Sequence, residues 1–184
     1  MRRRITSSRA LTLLGVLALT IYVLHTANHL RRGTPHDLLW VCNLATALLA
    51  IGCLARNATL AAIPLLWLSA GTPFWLLDAF AGSEVMATSI LTHVGGLMIS
   101  ALAIWKLGMP RGAWYRASAA SALVVALSRV ATPAEYNVNL AFSVRTGWEP
   151  FFGDHLLYIG MLFAVASVVF FVVERVFLRI SEAR

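Results

Sequence analysis

Charge is scarce in this chain of 184 residues. Asp, Glu, Lys and Arg together make up 12% of it, and only 8 residues are acidic. The hydrophobic share is 59% and the mean hydropathy is +0.76. That balance reads as a membrane protein and leaves little room for a separate water-soluble domain. Cysteine is nearly missing. Cys42 and Cys53 fall in one apolar run, 11 residues apart, which is ~16 Å along a helix. They cannot bridge each other, so the chain is not stapled by a disulfide. There is no Cys-x-x-Cys-His motif for covalent haem attachment, no internal repeat and no low-complexity tract. The Arg-rich start followed by an apolar run lacks a small-residue cleavage site, and the run is long for a signal peptide. It is therefore expected to be a retained first span.

What the chain does contain is long apolar runs. A helix needs about 20 apolar residues to cross ~30 Å of hydrocarbon. Six runs approach that length: about 10–28, 38–55, 59–80, 86–107, 114–132 and 155–178. The expected fold is all-α: a polytopic membrane helix bundle of about six transmembrane helices, forming one domain over 1–184. The third run is interrupted by Pro64, Gly71 and Pro73, which predicts a kinked or split helix. The fifth is short and rich in Ala and Ser. Two four-residue stripes of small residues, Thr92, Gly96 and Ser100 in the fourth run and Ser118, Ala122 and Ala126 in the fifth, predict faces for close helix packing.

The net charge is +7. In a soluble chain this would suggest nucleic acid, but here the cations are better read as topology, with membrane lipids as the partner and no nucleic acid. With six spans and the N-terminus inside, the inner segments hold Arg2, Arg3, Arg4, Arg9, Arg56, Lys106, Arg111, Arg116, Arg175, Arg179 and Arg184. The outer ones hold Arg31, Arg32, Arg129 and Arg145. That ratio, 11 against 4, predicts both termini in the cytoplasm. The compact form and the Ala/Arg-rich composition point to a multi-pass protein of a bacterial inner membrane. Asn57-Ala58-Thr59 fits a glycosylation pattern but falls in an inner loop and carries no weight. The chain carries no signal of oligomeric state.

Depth along the spans separates the polar residues. Cys42 and Asn43 lie one to two turns below the outer surface. Asp78 ends the third span, His93 lies about two turns down the fourth, and Arg129 sits near the outer end of the fifth. His25 and His29 end the first span, and Asp154 and His155 begin the sixth. The longest loop, Thr132 to Gly153, adds Tyr136, Asn137, Asn139 and several aromatic residues on the same side. The inner halves of the spans are nearly free of such groups. One polar pocket opening toward the outer leaflet explains this one-sidedness. Bland roles compete. His29, Arg31 and Arg32 suit interfacial anchors, Asp154 suits a helix start, Cys42 suits an apolar filler, Asp78 suits a solvated interface, and His93 suits a structural hydrogen bond between helices.

Three chemistries fit this constellation. In the first, Cys42 attacks an acyl carbonyl, His93 takes the proton, Asp78 orients the imidazole, and Arg129 or an Asn amide stabilises the oxyanion. Asn43, Arg129, Tyr136, Asn137 and His155 then supply substrate contacts. The second uses His25, His29, His93 or His155 as ligands of one outer-leaflet haem. The third is a metal held by His25, His29 and Asp78. No cofactor is required by the first. A pocket that binds or transports a small polar or lipid ligand without catalysis needs none of the three.

Several short motifs are similar to those of the YwaF/TMEM164-like family of integral membrane proteins. They are Trp40-Val41-Cys42-Asn43-Leu44, the Gly71–Pro73 break, the lone His93, Tyr136-Asn137, and Trp148-Glu149-Pro150-Phe151-Phe152 before the last span, and the resemblance covers about residues 36–160. It implies a multi-span protein and, from an animal member, a phospholipid acyltransferase in which Cys42 is the nucleophile and His93 the base. The chain departs from the family at Trp40, where a His is frequent, and in the order of Tyr136 and Asn137.

Overall fold

The computed structural model describes residues 2–82 and 84–182, with side chains from Ser8 onward. Arg184 and the side chains of Arg2, Arg3 and Arg4, counted above among the inner cations, lie outside the described residues, as does Ser83. Among the described residues there is no strand, and the expected all-α fold holds. Six helices follow one another: α1 (Arg2–Arg31), α2 (Val41–Leu54), α3 (Ala58–Phe80), α4 (Ala87–Leu107), α5 (Ala113–Ala131) and α6 (His155–Glu182). Short 3-10 turns lie at Pro35–Leu39, Ala134–Tyr136 and Val138–Leu140.

Among the described residues, four helices are long and apolar enough to cross a membrane: α1 over Ser8–Arg31, α3, α4 and α6. The second run behaves differently from its expectation over 38–55. Helix α2 has only 14 residues, ~21 Å at the helical rise, so it falls short of the hydrocarbon thickness by itself. The reason is local. Pro35 starts a 3-10 turn and Trp40 takes an extended backbone (ψ 134°), so regular α-helix begins only at Val41. Helix α5 has the length, but Arg116, Arg129 and its Ser residues dilute its hydropathy.

The third run is not split. Helix α3 is continuous from Ala58 to Phe80 with Pro64 and Pro73 inside it. It is the central helix, packed against α2, α4, α5 and α6, and every residue from Ala61 to Leu68 is buried. A helix apolar on all sides suits that position, and neighbouring helices stabilise the backbone that the prolines leave unpaired. Asn57, the glycosylation-pattern residue, starts α3: its side-chain oxygen accepts from Leu60 N–H at 3.0 Å, the ordinary N-cap bond.

Small residues set the close approaches. A Cβ on Gly52 of α2 would stand 2.6 Å from the Ala61 backbone nitrogen of α3, so this tight pair depends on glycine. The stripe Thr92, Gly96 and Ser100 is buried as expected. The stripe proposed for α5 is not: Ala122 and Ala126 are exposed, and the buried face carries Ala113, Ala117, Val124 and Ser128 instead. Only Ser118 of that stripe meets a neighbour, Ser167 of α6, with 2.8 Å between hydroxyls.

Contacts at one end of the bundle bring the chain's two ends to the same side. Arg56 donates to Ser8 Oγ at 2.5 Å, Arg116 to Thr59 Oγ1 at 3.4 Å, and Arg111 pairs with Glu182 at 3.4 Å. The opposite end holds the polar residues.

Candidate functional site

A cavity of about 580 Å³ opens at that opposite end, within the size range of small-molecule sites. Its wall includes His25 and His29 of α1, the first turn of α2, one face of α3, His93 of α4 and one side of α6. Along α3 the wall runs from Asp78 down to Trp67, 11 residues and so ~16 Å. Polar side chains gather toward the Asp78 end. Toward Trp67 the wall is apolar, closed by Leu162, Phe163 and Phe170 of α6.

Cys42, Asn43, Asp78 and His93 all line this cavity. Cys42 sits in the first turn of α2, half-buried, its sulfur so near Gly71 that a Cβ added there would overlap it. Cys42 and His93 share the cavity, but no hydrogen bond joins them. His93 is held otherwise. It lies in a π-helical turn, Leu91–Gly95, within α4, a distortion frequent at functional positions. Its Nδ1–H donates to the Ser89 carbonyl at 2.9 Å. In the neutral ring this leaves Nε2 as a bare acceptor, and no described residue donates to it. The imidazole stacks on Trp75, with centroids 4.6 Å apart and planes 9° from parallel. The ring is therefore oriented by Ser89 and Trp75 rather than by Asp78. Asp78 instead pairs with Arg145 of the long loop, whose guanidinium lies 5.9 Å from the centre of the Trp148 ring.

The other proposed contact residues are not in the cavity wall. Arg129 is exposed and lies over Phe142 at 5.9 Å, not against Asp78, Glu135 or Asp154. Tyr136, 48% exposed, stacks on His36 with 3.4 Å between centroids. Asn137 ties its own loop: its Oδ1 accepts from Phe142 N–H at 3.0 Å and Ser143 N–H at 3.1 Å, and its amide donates to the Ser143 carbonyl at 3.0 Å. His155 donates from Nε2 to the Leu140 carbonyl at 2.9 Å. Asp154 is the helix start expected of it, accepting from Leu157 N–H at 2.8 Å.

His29 is not an interfacial anchor. It is 5% exposed and belongs to a network with His25, which is 2% exposed. The Asn43 amide donates to the Asp37 carbonyl at 2.7 Å, so its Oδ1 faces His25 Nε2 at 3.0 Å and must accept. His25 Nε2 therefore carries the proton, and its Nδ1 accepts from the Thr88 hydroxyl at 2.9 Å. His29 Nε2, 3.2 Å from His25 Nε2, is then an acceptor, and its Nδ1–H donates to Thr34 Oγ1 at 2.8 Å. These tautomers are inferred from the partners. All four ring nitrogens are engaged within the protein. Among the described residues there is no group of three His, Cys, Asp or Glu arranged to hold a metal ion.

Sequence reasoning placed Asn139 and Arg145 on the outer side without a site role, and it missed Ser89 and Trp75. Asn139 bridges the long loop to α2: its Oδ1 accepts from Val41 N–H at 2.8 Å, and its amide donates to the Leu39 carbonyl and Ser128 Oγ at 2.7 and 2.8 Å. An arginine three residues before Trp148 in an aromatic-rich outer loop was a usable signal for Arg145. Trp75 carried none, since its stack depends on the register between α3 and α4. No family model, no curated protein and no solved structure matches this chain.

Proposed function

We propose that this chain is a multi-pass membrane protein whose cavity opens to the outer leaflet and binds an amphipathic ligand without chemistry. The polar head lies near His93 and the Asp78–Arg145 pair, and the apolar part lies along α3 and α6. The observation that carries this reading is the division of one cavity into a polar end and an apolar end, with His93 Nε2 unpartnered at the wall. The cation asymmetry supports both termini in the cytoplasm and the cavity mouth outside, as in a bacterial inner membrane protein. Four of the six tryptophans line the cavity, so intrinsic fluorescence in nanodiscs is the direct assay. Single-chain amphiphiles are expected to quench or shift it saturably. If charged and neutral amphiphiles alike gave only linear partitioning, the binding reading would fail.

A second reading has its own support. Cys42 and His93 line the same cavity, and His93 Nε2 is free to accept a proton, as the YwaF/TMEM164-like resemblance requires of a Cys–His acyltransferase or hydrolase. In that reading Cys42 Sγ bonds to the acyl carbon as the thiol proton passes to His93, the C–O bond of the ester breaks, and His93 returns the proton to the departing oxygen, which leaves as the alcohol. An acyl probe labelling Cys42 but not Cys53, with lipid turnover lost in both Cys42→Ala and His93→Ala, would establish it.

A further inference from the structure

The cavity wall is unbalanced in both charge and hydrogen-bonding sense. It contains three carboxylates, Asp37, Asp78 and Glu84, and one guanidinium, Arg145. Asp78 is matched by Arg145 and Glu84 by Arg32. Asp37 is not matched by any Lys or Arg among the described residues. Its neighbours are the Trp40 indole N–H at 3.2 Å and two imidazoles, His29 at 3.7 Å and His36 at 3.8 Å. The second imbalance is His93. The residue is 7% exposed, and its Nε2 lone pair has no donor among the described residues. His93 lines the cavity and this nitrogen is not sealed off inside the protein, so a ligand that donates can satisfy it. The indole N–H of Trp40 orients the Asp37 carboxylate, and the Trp75 stack orients the His93 ring, so both acceptors are held in place.

We propose that the ligand of this cavity is a lipophilic primary amine in its ammonium form. Its N–H donates to His93 Nε2, Asp37 balances its charge, and its alkyl chain runs between α3 and α6. An anionic head would meet the lone pair of His93 and the unmatched carboxylate, while the only wall cation is already paired. A neutral alcohol would satisfy His93 and leave Asp37 unbalanced. A trimethylammonium head would balance Asp37 but has no N–H for His93. This inference rests on the ligand-binding reading above and adds the chemistry of the head.

The test is a tryptophan-fluorescence titration of the full-length protein in nanodiscs with four ligands of one chain length: dodecylammonium, dodecyltrimethylammonium, dodecanol and dodecyl sulfate. The expected order places dodecylammonium first, roughly tenfold or more tighter than dodecanol and dodecyl sulfate. Asp37→Asn, which keeps an acceptor for Trp40, should erase most of its advantage over dodecanol. His93→Phe, which keeps a ring for Trp75, should erase its advantage over the trimethyl analogue. Tighter or equal binding of dodecanol or the sulfate to the unaltered protein overturns the amine assignment while leaving a ligand-binding protein. Equal binding of the trimethyl analogue overturns the His93 contact. Absence of saturable binding by all four removes the underlying reading as well.

Discussion

Trp75 and His93 lie face to face across the α3–α4 boundary, their ring centroids 4.6 Å apart. The stack fixes the plane of an imidazole whose Nδ1 is already tied to Ser89. It therefore aims Nε2 without using a hydrogen bond to do so. Trp75→Ala should leave His93 free to rotate about its remaining tether, while Trp75→Phe should keep most of the stack. Aromatic stacking contributes about 0.5–1.5 kcal/mol beyond burial, so ligand affinity should fall several-fold in the alanine variant and little in the phenylalanine variant. Equal affinities for the two would mean that the stack does not position His93.

Cys42 and Gly71 form a second close pair, on α2 and α3. A methyl group at Gly71 would overlap the Cys42 sulfur. Gly71→Ala should destabilise the protein by about 1–3 kcal/mol, the usual cost of overpacking. Cys42→Ala removes the obstructing atom, so the double variant should be more stable than Gly71→Ala alone. Equilibrium unfolding of the four proteins in mixed micelles gives the coupling energy. Strict additivity would place the sulfur elsewhere.

Glu174 lies on α6 at 4% exposure and caps a different helix. Its two carboxylate oxygens accept from Gly112 N–H at 2.8 Å and Trp114 N–H at 2.7 Å, at the start of α5. These N–H groups have no partner within their own helix, and a carboxylate also suits the positive end of the dipole. Glu174→Gln keeps one acceptor but turns an amide N–H₂ toward the other donor. A loss of about 1.5–3 kcal/mol follows from the usual worth of a charged hydrogen bond. The midpoint of denaturation should drop accordingly, and an unchanged midpoint would rule out the cap.

The helix order was legible because apolar length is additive along the chain. Each expected run coincides with a helix to within a few residues at most ends, apart from the early start of α1. What failed was local. Trp40 looked like part of a span, yet Pro35 and the extended Trp40 backbone delay α2, and no hydropathy average registers that. The one-sided depth of Cys42, Asn43, Asp78 and His93 was readable, and these four do share a cavity. Rotation about each helix axis was not readable. Depth placed Arg129 and His155 beside the others, but their side chains point to Phe142 and the Leu140 carbonyl. Asn137 and Asn139 looked alike in sequence, two residues apart. One closes its own loop and the other reaches α2, because a left-handed backbone at each (φ 43° and 55°) turns the chain between them.

His25 offers the sharpest test of the buried network. Replacing it with Phe keeps the bulk but removes a donor to Asn43 and His29 and an acceptor for Thr88. Each buried group left unsatisfied costs about 1–3 kcal/mol, so His25→Phe should lower stability by roughly 2–4 kcal/mol when some groups find other partners. The double variant His25→Phe, Asn43→Leu separates two explanations. If the loss arises from unpaired polar groups, removing the Asn43 amide as well should recover part of it, because matched apolar replacement can be nearly neutral. If the loss arises from misfitting volume, the double variant should be worse than either single one. His155→Phe breaks one bond to a loop carbonyl and should cost less than His25→Phe. Denaturant titration of these variants in the same micelles decides between the two. A His25→Phe protein as stable as the unaltered chain would mean that the two histidines are not hydrogen-bonded as a unit.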